Sequence, residues 1–401
     1  MTPTELRDNF RAVPQTEQAL LLACSRTRVK AEDIGRIREL ARGVSDWPAL
    51  METASSHKVW PLMYHTLTTI CPDAVPQNIL ETLRKESQAH GIRNLRHARE
   101  LTQILKSLEA QSVSCISYKG PILAESTYGD LSLRQFADLD VLVPRQDVAG
   151  AMSVLQEMGF TLHDEGSTPA GYLQSMHHYS LQHKANKTIL ELHWDIAEKY
   201  FAFSMPLSEL WERRETTTLM RQPTPTLSAE DLLVILSAHG CKHGWEQLGL
   251  ICDVAELARA RQDMDWDAAL RRARERGGER MVLLALALAQ RLLDAQIPDI
   301  VQGRLRADPI AGRLADEVQQ RLFSAKRIPQ DASERVKFFR FHIRARERLR
   351  DQARSCLHLV FTPSQEDWAS VRFPPALAFL YYPLRPLRLA GKYIGRLFKR
   401  S

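Results

Sequence analysis

The sequence predicts an α+β protein in which a small mixed β-sheet is flanked by mainly α-helical N- and C-terminal regions. Three observations carry that expectation. Short β-prone runs alternate with an amphipathic helical pattern only between about residues 112 and 200, the texture of a small α/β domain. On both sides of it, apolar residues recur at helical spacing and the runs end at capping residues. The chain has 401 residues, 44% of them hydrophobic and 25% charged, which suits several buried cores and argues against wholesale disorder. The expected divisions are a helical region over 1–111, an α/β core over 112–205, a helical domain over 206–330 and a basic helical tail over 331–401.

Taken in order, "TEQALLLACS" begins with Thr16 as an N-cap, and "AEDIGRIRELARG" ends in Gly43 at a C-cap position. "NILETLRKESQAHGIRNLRHARELTQILKSLEAQ" is one long, charge-laced amphipathic helix. "SVSCISYKG" and "ADLDVLVP" are β-prone, and "RQDVAGAMSVLQEMGF" is an amphipathic helix closing at Gly159. "MHHYSLQHKANKTILELHWDI" reads as two strands around a turn at Asn186, whose side chain tolerates the left-handed region. "RRETTTLMRQPTPTLSAED" reads as a polar loop with two prolines, after which helix resumes behind a capping box from Ser228 to Asp231. "RMVLLALALAQRLLD" is apolar nearly all round and predicts a buried helix. "ASERVKFFRFHIRARERLRDQARS" predicts one basic amphipathic helix, and the remainder is aromatic, proline-broken and cationic.

Composition narrows the function classes. Six scattered cysteines without a CxxC pair argue against a disulfide framework or a thiolate zinc site and for reduced thiols in a cytoplasmic protein. "MTPTELRDNF" carries charge where an export signal needs an apolar core, and no run of eighteen apolar residues occurs. The formal charge of +6 equals the six basic residues after position 384 (Arg385, Arg388, Lys392, Arg396, Lys399 and Arg400), so the body is formally neutral. A general nucleic-acid binder spreads its basic surface more widely. The helical spacing of those cations leaves two readings: packing on the body with a solvated basic stripe, which is favoured, or peripheral contact with an anionic inner membrane face through 385–401.

The chemistry concentrates in "YKGPILAESTYGDLSLRQFADLDVLV". Side chains alternate along a strand, so Asp138 and Asp140 project together while Leu139 and Val141 face the other way. A D-x-D pair alone is most simply a solvated strand face. Here, Lys119-Gly120 precedes a helix start that favours an anion, and Arg134 supplies a fixed positive fork. In "TILELHW", Glu191 shares a face with Ile189 and His193. Were that strand to pair beside "ADLDVLV", three carboxylates would converge, a set able to hold divalent ions for phosphoryl or nucleotidyl transfer.

"YKG", then "DLDVLV", "MGF" and "LELHW", with "AHGCKHGWEQLGLICDVAEL" and "MDWDAAL" downstream, resembles a nucleotidyltransferase of the DNA polymerase β-like superfamily. More narrowly it resembles the bacterial family labelled uncharacterised nucleotidyltransferase. The resemblance implies transfer of a nucleoside monophosphate from a nucleoside triphosphate, ATP among the candidates, to an acceptor hydroxyl on a small molecule, peptide or saccharide. It implies Asp138, Asp140 and Glu191 as catalytic metal ligands for two Mg²⁺ ions, with Mn²⁺ as the alternative, and Glu191 helping to activate the acceptor. Asp195 competes as third acid. Lys119, Gly120 and Arg134 would hold phosphates, although the superfamily's Gly-Ser turn is here Gly120-Pro121. A degenerate nucleotide-binding or scaffold relative is the alternative function.

Other residues are read beside their plainer roles. His239 and His243 have a zinc-chelating spacing without a third ligand, so with Lys242 they more simply line the face toward the α/β core, where Lys242 or His243 would touch the triphosphate. Asp253 is structural first and substrate-binding second. Tyr128 is a packed aromatic before a base-stacking one, His177-His178 is a satisfied surface pair, and His193 shares the cleft with Glu191.

Overall fold

The structure, a computed structural model, describes residues 14–163, 177–197, 201, 203–324, 332–362, 373 and 375–397. Helices dominate both ends of the chain and enclose a four-stranded sheet, the α+β arrangement expected.

The N-terminal helices are α1 (Gln15–Cys24), α2 (Ile34–Arg42), α3 (Trp47–Ser56) and α4 (Trp60–Ile70). The α3 start is capped by Asp46, whose carboxylate accepts the Ala49 N–H. Thr16 lies inside α1, which begins after Pro14, whose fixed φ suits the entry to a helix. The 34-residue α5 (Gln77–Ala110) then runs about 51 Å. Its Leu83 joins the core of the N- and C-terminal helices, whereas Ala98, Leu101, Ile104, Leu105 and Leu108 join a second core beneath the sheet.

After α6 (Gly120–Tyr128) come β1 (Asp138–Leu142), α7 (Val148–Glu157), β2 (Phe160–Leu162), β3 (His178–His183) and β4 (Ile189–His193). The strand order is β1-β4-β3-β2, with β1 and β4 parallel and the other pairs antiparallel. Leu139, Val141, Leu190, Leu192 and Leu181 form the buried face, packed with α5 and α7 residues. "SVSCISYKG" contributes no strand, only a bridge between Ile116 and Leu142. The β3–β4 turn places Lys187, not Asn186, at positive φ (62°), while Asn186 Oδ1 accepts the Thr188 N–H.

After α8 (Leu207–Glu212), the polar loop is in fact a hairpin of β5 (Glu215–Leu219) and β6 (Gln222–Thr226), joined by Met220 and Arg221 at φ 49° and 64°. Pro223 and Pro225 are tolerated because they sit on the exposed side of a two-stranded ribbon. Then follow α9 (Ala229–Lys242), α10 (Leu248–Ala260), α11 (Trp266–Glu275), α12 (Glu279–Leu293), α13 (Asp299–Ala307) and α14 (Pro309–Leu322). Ser228 caps α9 by accepting the Asp231 N–H, while the Asp231 carboxylate pairs with Arg213 and Arg272 rather than closing the box. The apolar α12 is buried on nearly every side.

The expected single basic helix is two, α15 (Ala332–Arg344) and α16 (Leu349–Phe361). The break accompanies Arg346, which is buried over the rings of Phe201 and Phe203. The terminal α17 (Tyr381–Leu397) runs unbroken through Pro386, and Phe398, Lys399 and Arg400 lie outside the described residues. No described helix is long and apolar enough to cross a membrane.

Two histidines, one buried and one half-buried, tie stability to pH. His90 approaches the Arg134 carbonyl at 3.2 Å and packs edge-on against Trp60, and burial pulls its pKa down to about 4, as it does for His342. Their penalty is absent above pH 6.5, where both states are neutral, and grows as pH falls toward 4, because the unfolded chain takes up the protons first. Lowering the pH from 7.5 to 4.5 is expected to cost on the order of 2–3 kcal/mol per histidine. His90→Gln should shrink that difference in paired urea titrations.

Candidate active site

The pleat that buries Leu139, Val141, Leu190 and Leu192 sends Asp138, Asp140, Glu191 and His193 to the opposite face, the wall of a cavity of about 320 Å³. Parallel pairing puts Asp140 directly beside Glu191 in register. His193 Nε2 lies 3.3 Å from Asp140 Oδ1 and 3.1 Å from Glu191 Oε2. Asp195, the competing acid, is past the end of β4 and accepts the Ile196 N–H.

Charge balance explains the protonation tendencies. Burial works to raise the Asp140 pKa, but Lys119, 3.5 Å away, and His193 hold it well below the usual carboxylate range. Burial likewise opposes ionisation of Glu191, and His193 reverses that into a net lowering. Asp138 goes the other way: burial and the charges of Asp140 and Glu191 raise it. Burial alone would lower the His193 pKa, and the two carboxylates raise it.

The Lys119-Gly120 turn brings its cation in by a backbone device. Gly120 has φ +51°, and a Cβ there would meet the Asp138 carbonyl at 3.2 Å. Ser117 Oγ donates to the Asp140 carbonyl at 2.8 Å, fixing the turn to β1. The helix start is less open to an anion than its position suggests. The Ile122 and Leu123 N–H groups both turn to the Lys119 carbonyl, and Pro121 has none.

The far wall comes from α9 and α10. "HGCKHGW" closes α9 as a Schellman motif: Trp245 N–H bonds to the Gly240 carbonyl, Gly244 N–H bonds to the Cys241 carbonyl, and Gly244 is left-handed. A Cβ on Gly240 would lie 2.3 Å from the Trp245 ring. This closure aims His239, Lys242 and His243 at the cavity. Asp253 of α10 takes the whole fork of Arg134, Nε at 2.7 Å and Nη2 at 2.8 Å, and the Tyr128 hydroxyl at 2.7 Å. Arg134, expected at the phosphates, thus spends its planar donors on an internal ion pair. Tyr128 is a buried hydrogen-bond donor whose hydroxyl is taken by Asp253.

Two groups at the cavity were not placed there by the sequence. His177 and His178 are not a surface pair: His177 is 6% exposed, and both line the cavity beside His193. The register of His178 opposite His193 is the signal that would have found them. Lys58, left-handed at the C-terminus of α3, reaches the rim from a segment that no local pattern connects to the acids.

The donor set fits a divalent cation. Three carboxylates share one wall against Lys119 and His193. Asp140, Glu191 and His193 each offer an atom within 4.8 Å of the others, and His193 Nδ1 has no hydrogen-bond partner among the described residues.

A model of the family described as uncharacterised nucleotidyltransferase matches residues 44–294, a span containing all the cavity residues discussed above. No curated protein matches the chain.

Gly240→Ala is expected to cost about 1–3 kcal/mol by displacing the Trp245 ring. Asp253→Asn, which strands the buried Arg134 charge, should cost about 3–5 kcal/mol. Urea midpoints of both variants check these values, and a wild-type midpoint for Asp253→Asn would contradict the ion-pair role.

Proposed function

The chain belongs to the uncharacterised nucleotidyltransferase family, and we propose that it transfers a nucleoside monophosphate from a nucleoside triphosphate to an acceptor hydroxyl, with Asp138, Asp140 and Glu191 as the carboxylates of the reaction. One observation carries this reading: β1 and β4 pair so that Asp140 and Glu191 are neighbours on a buried cavity wall with Asp138 one pleat away.

In this reaction the acceptor oxygen bonds to the α-phosphorus as the bond to the α–β bridging oxygen breaks, and that electron pair leaves on pyrophosphate. The acceptor proton passes to Glu191. Bound divalent ions, Mg²⁺ in this reading, would be held by Asp138, Asp140 and Glu191 and would offset charge on the phosphate oxygens. Lys119 at the turn, Lys242 and His243 on the far wall, and Lys58 at the rim supply the phosphate contacts. Arg134 acts at one remove by fixing α10 against the turn. The acceptor is a small molecule, peptide or saccharide, since the neutral body offers nucleic acid no broad basic surface. The second reading, a nucleotide-binding relative without turnover, is favoured by Pro121 and the inward-turned helix start.

Incubation with each labelled triphosphate, Mg²⁺ and cell extract should label an acceptor. Asp138→Asn should lower that labelling by roughly 10²–10³ or more while leaving the melting temperature near wild type. Wild-type transfer by Asp138→Asn would exclude the assignment, and triphosphate binding without any label would favour the second reading.

A further inference from the structure

The donor chemistry of this wall changes from one end to the other. Asp140 and Glu191 meet His193, and beyond it lie His177 and His178, with one ring nitrogen of each histidine within 4.8 Å of the others. Oxygen donors alone suit Mg²⁺, whereas imidazole nitrogen selects first-row transition ions. We propose that the histidine end of the cavity binds Zn²⁺ or a similarly imidazole-seeking divalent transition-metal ion through His177, His178 and His193, with Glu191 as the adjoining carboxylate. The ion's role beside the reacting phosphates rests on the transferase reading, but its binding does not.

One ring nitrogen of each histidine lies within 4.8 Å of the others, somewhat wider than a closed coordination shell. A tetrahedral ion with bonds of 2.0–2.1 Å separates its ligand atoms by roughly 3.3 Å. His178 Nδ1 lies 3.2–3.3 Å from the ring nitrogens of His177, and His193 Nε2 lies 3.1 Å from Glu191 Oε2. The other nitrogen of His178, Nε2, lies 3.8 Å from Glu191 Oε1.

The ligands are also pre-placed. His178 and His193 are register partners on β3 and β4, Glu191 lies two residues before His193 on the same face, and the His177 carbonyl accepts the Trp194 N–H at 2.9 Å. His193 is 3% exposed, and its Nδ1 has no hydrogen-bond partner among the described residues, while Nε2 faces the two carboxylates. A buried polar group left unpaired is costly, and coordination would satisfy it.

The test uses the full chain, stripped with a chelator and titrated with Zn²⁺ or Mn²⁺ in excess Mg²⁺, without nucleotide. The expected result is one transition-metal equivalent per chain retained after desalting, with ¹⁴N coupling in the spin-echo spectrum of the Mn²⁺ form. His177→Ala and His178→Ala should each weaken binding at least about tenfold. If an alanine variant melts below metal-free wild type, His178→Gln is measured in its place. Displacement of the ion by Mg²⁺, absent nitrogen coupling, or wild-type affinity in the histidine variants would overturn the proposal. A chain that keeps the ion yet transfers no nucleotide would uphold this inference and defeat the transferase reading. Transfer with Mg²⁺ alone and no nitrogen-bound ion would do the reverse.

Discussion

Three carboxylates on one buried wall repel each other, and much of the surrounding structure answers that repulsion. Asp140 is the most deeply placed and stays ionised because Lys119 and His193 stand against it. Lys119 can stand there only because Gly120 lets the backbone cross the Asp138 carbonyl. Asp138, with less compensation, is pushed toward protonation. Such a wall turns uncompensated negative charge toward the cavity.

The cavity lies where two cores meet. The acidic wall is stiffened from behind by the aliphatic face of the sheet against α5 and α7. The far wall belongs to the helical core, where the Schellman closure of α9 and the Arg134–Asp253 pair set its distance. Strands fix the carboxylates and histidines, and helix ends fix the cations. Sites commonly form at such junctions, because side chains from separate rigid bodies can converge there.

How much of this was legible varied with the range of the interaction. Alternation in "DLDVL" and "ILELH" is a local property, so the division into acidic and aliphatic faces was readable, as were Gly43, the Ser228 cap and the buried α12. Local signals failed where another element intervened. "SVSCIS" has strand propensity but makes only a bridge. The "TTTLMRQPTPT" stretch forms a hairpin because Met220 and Arg221 accept positive φ and its prolines face outward. "FHIRARERLR" breaks where Arg346 finds two aromatic rings.

The amino-acid sequence by itself determined the α+β class, the shared face of Asp138 and Asp140, the shared face of Glu191 and His193, and the Gly-rich close of α9. Each follows from backbone periodicity or from the conformational range of one residue, and both are written into neighbouring positions. Only the tertiary structure decided that Glu191 rather than Asp195 faces Asp140, that Arg134 belongs to Asp253, and that His177, His178 and Lys58 enter the cavity. Those outcomes depend on strand register and helix packing, where segments far apart in the chain compete for the same partner and burial settles which pairing has the lower energy.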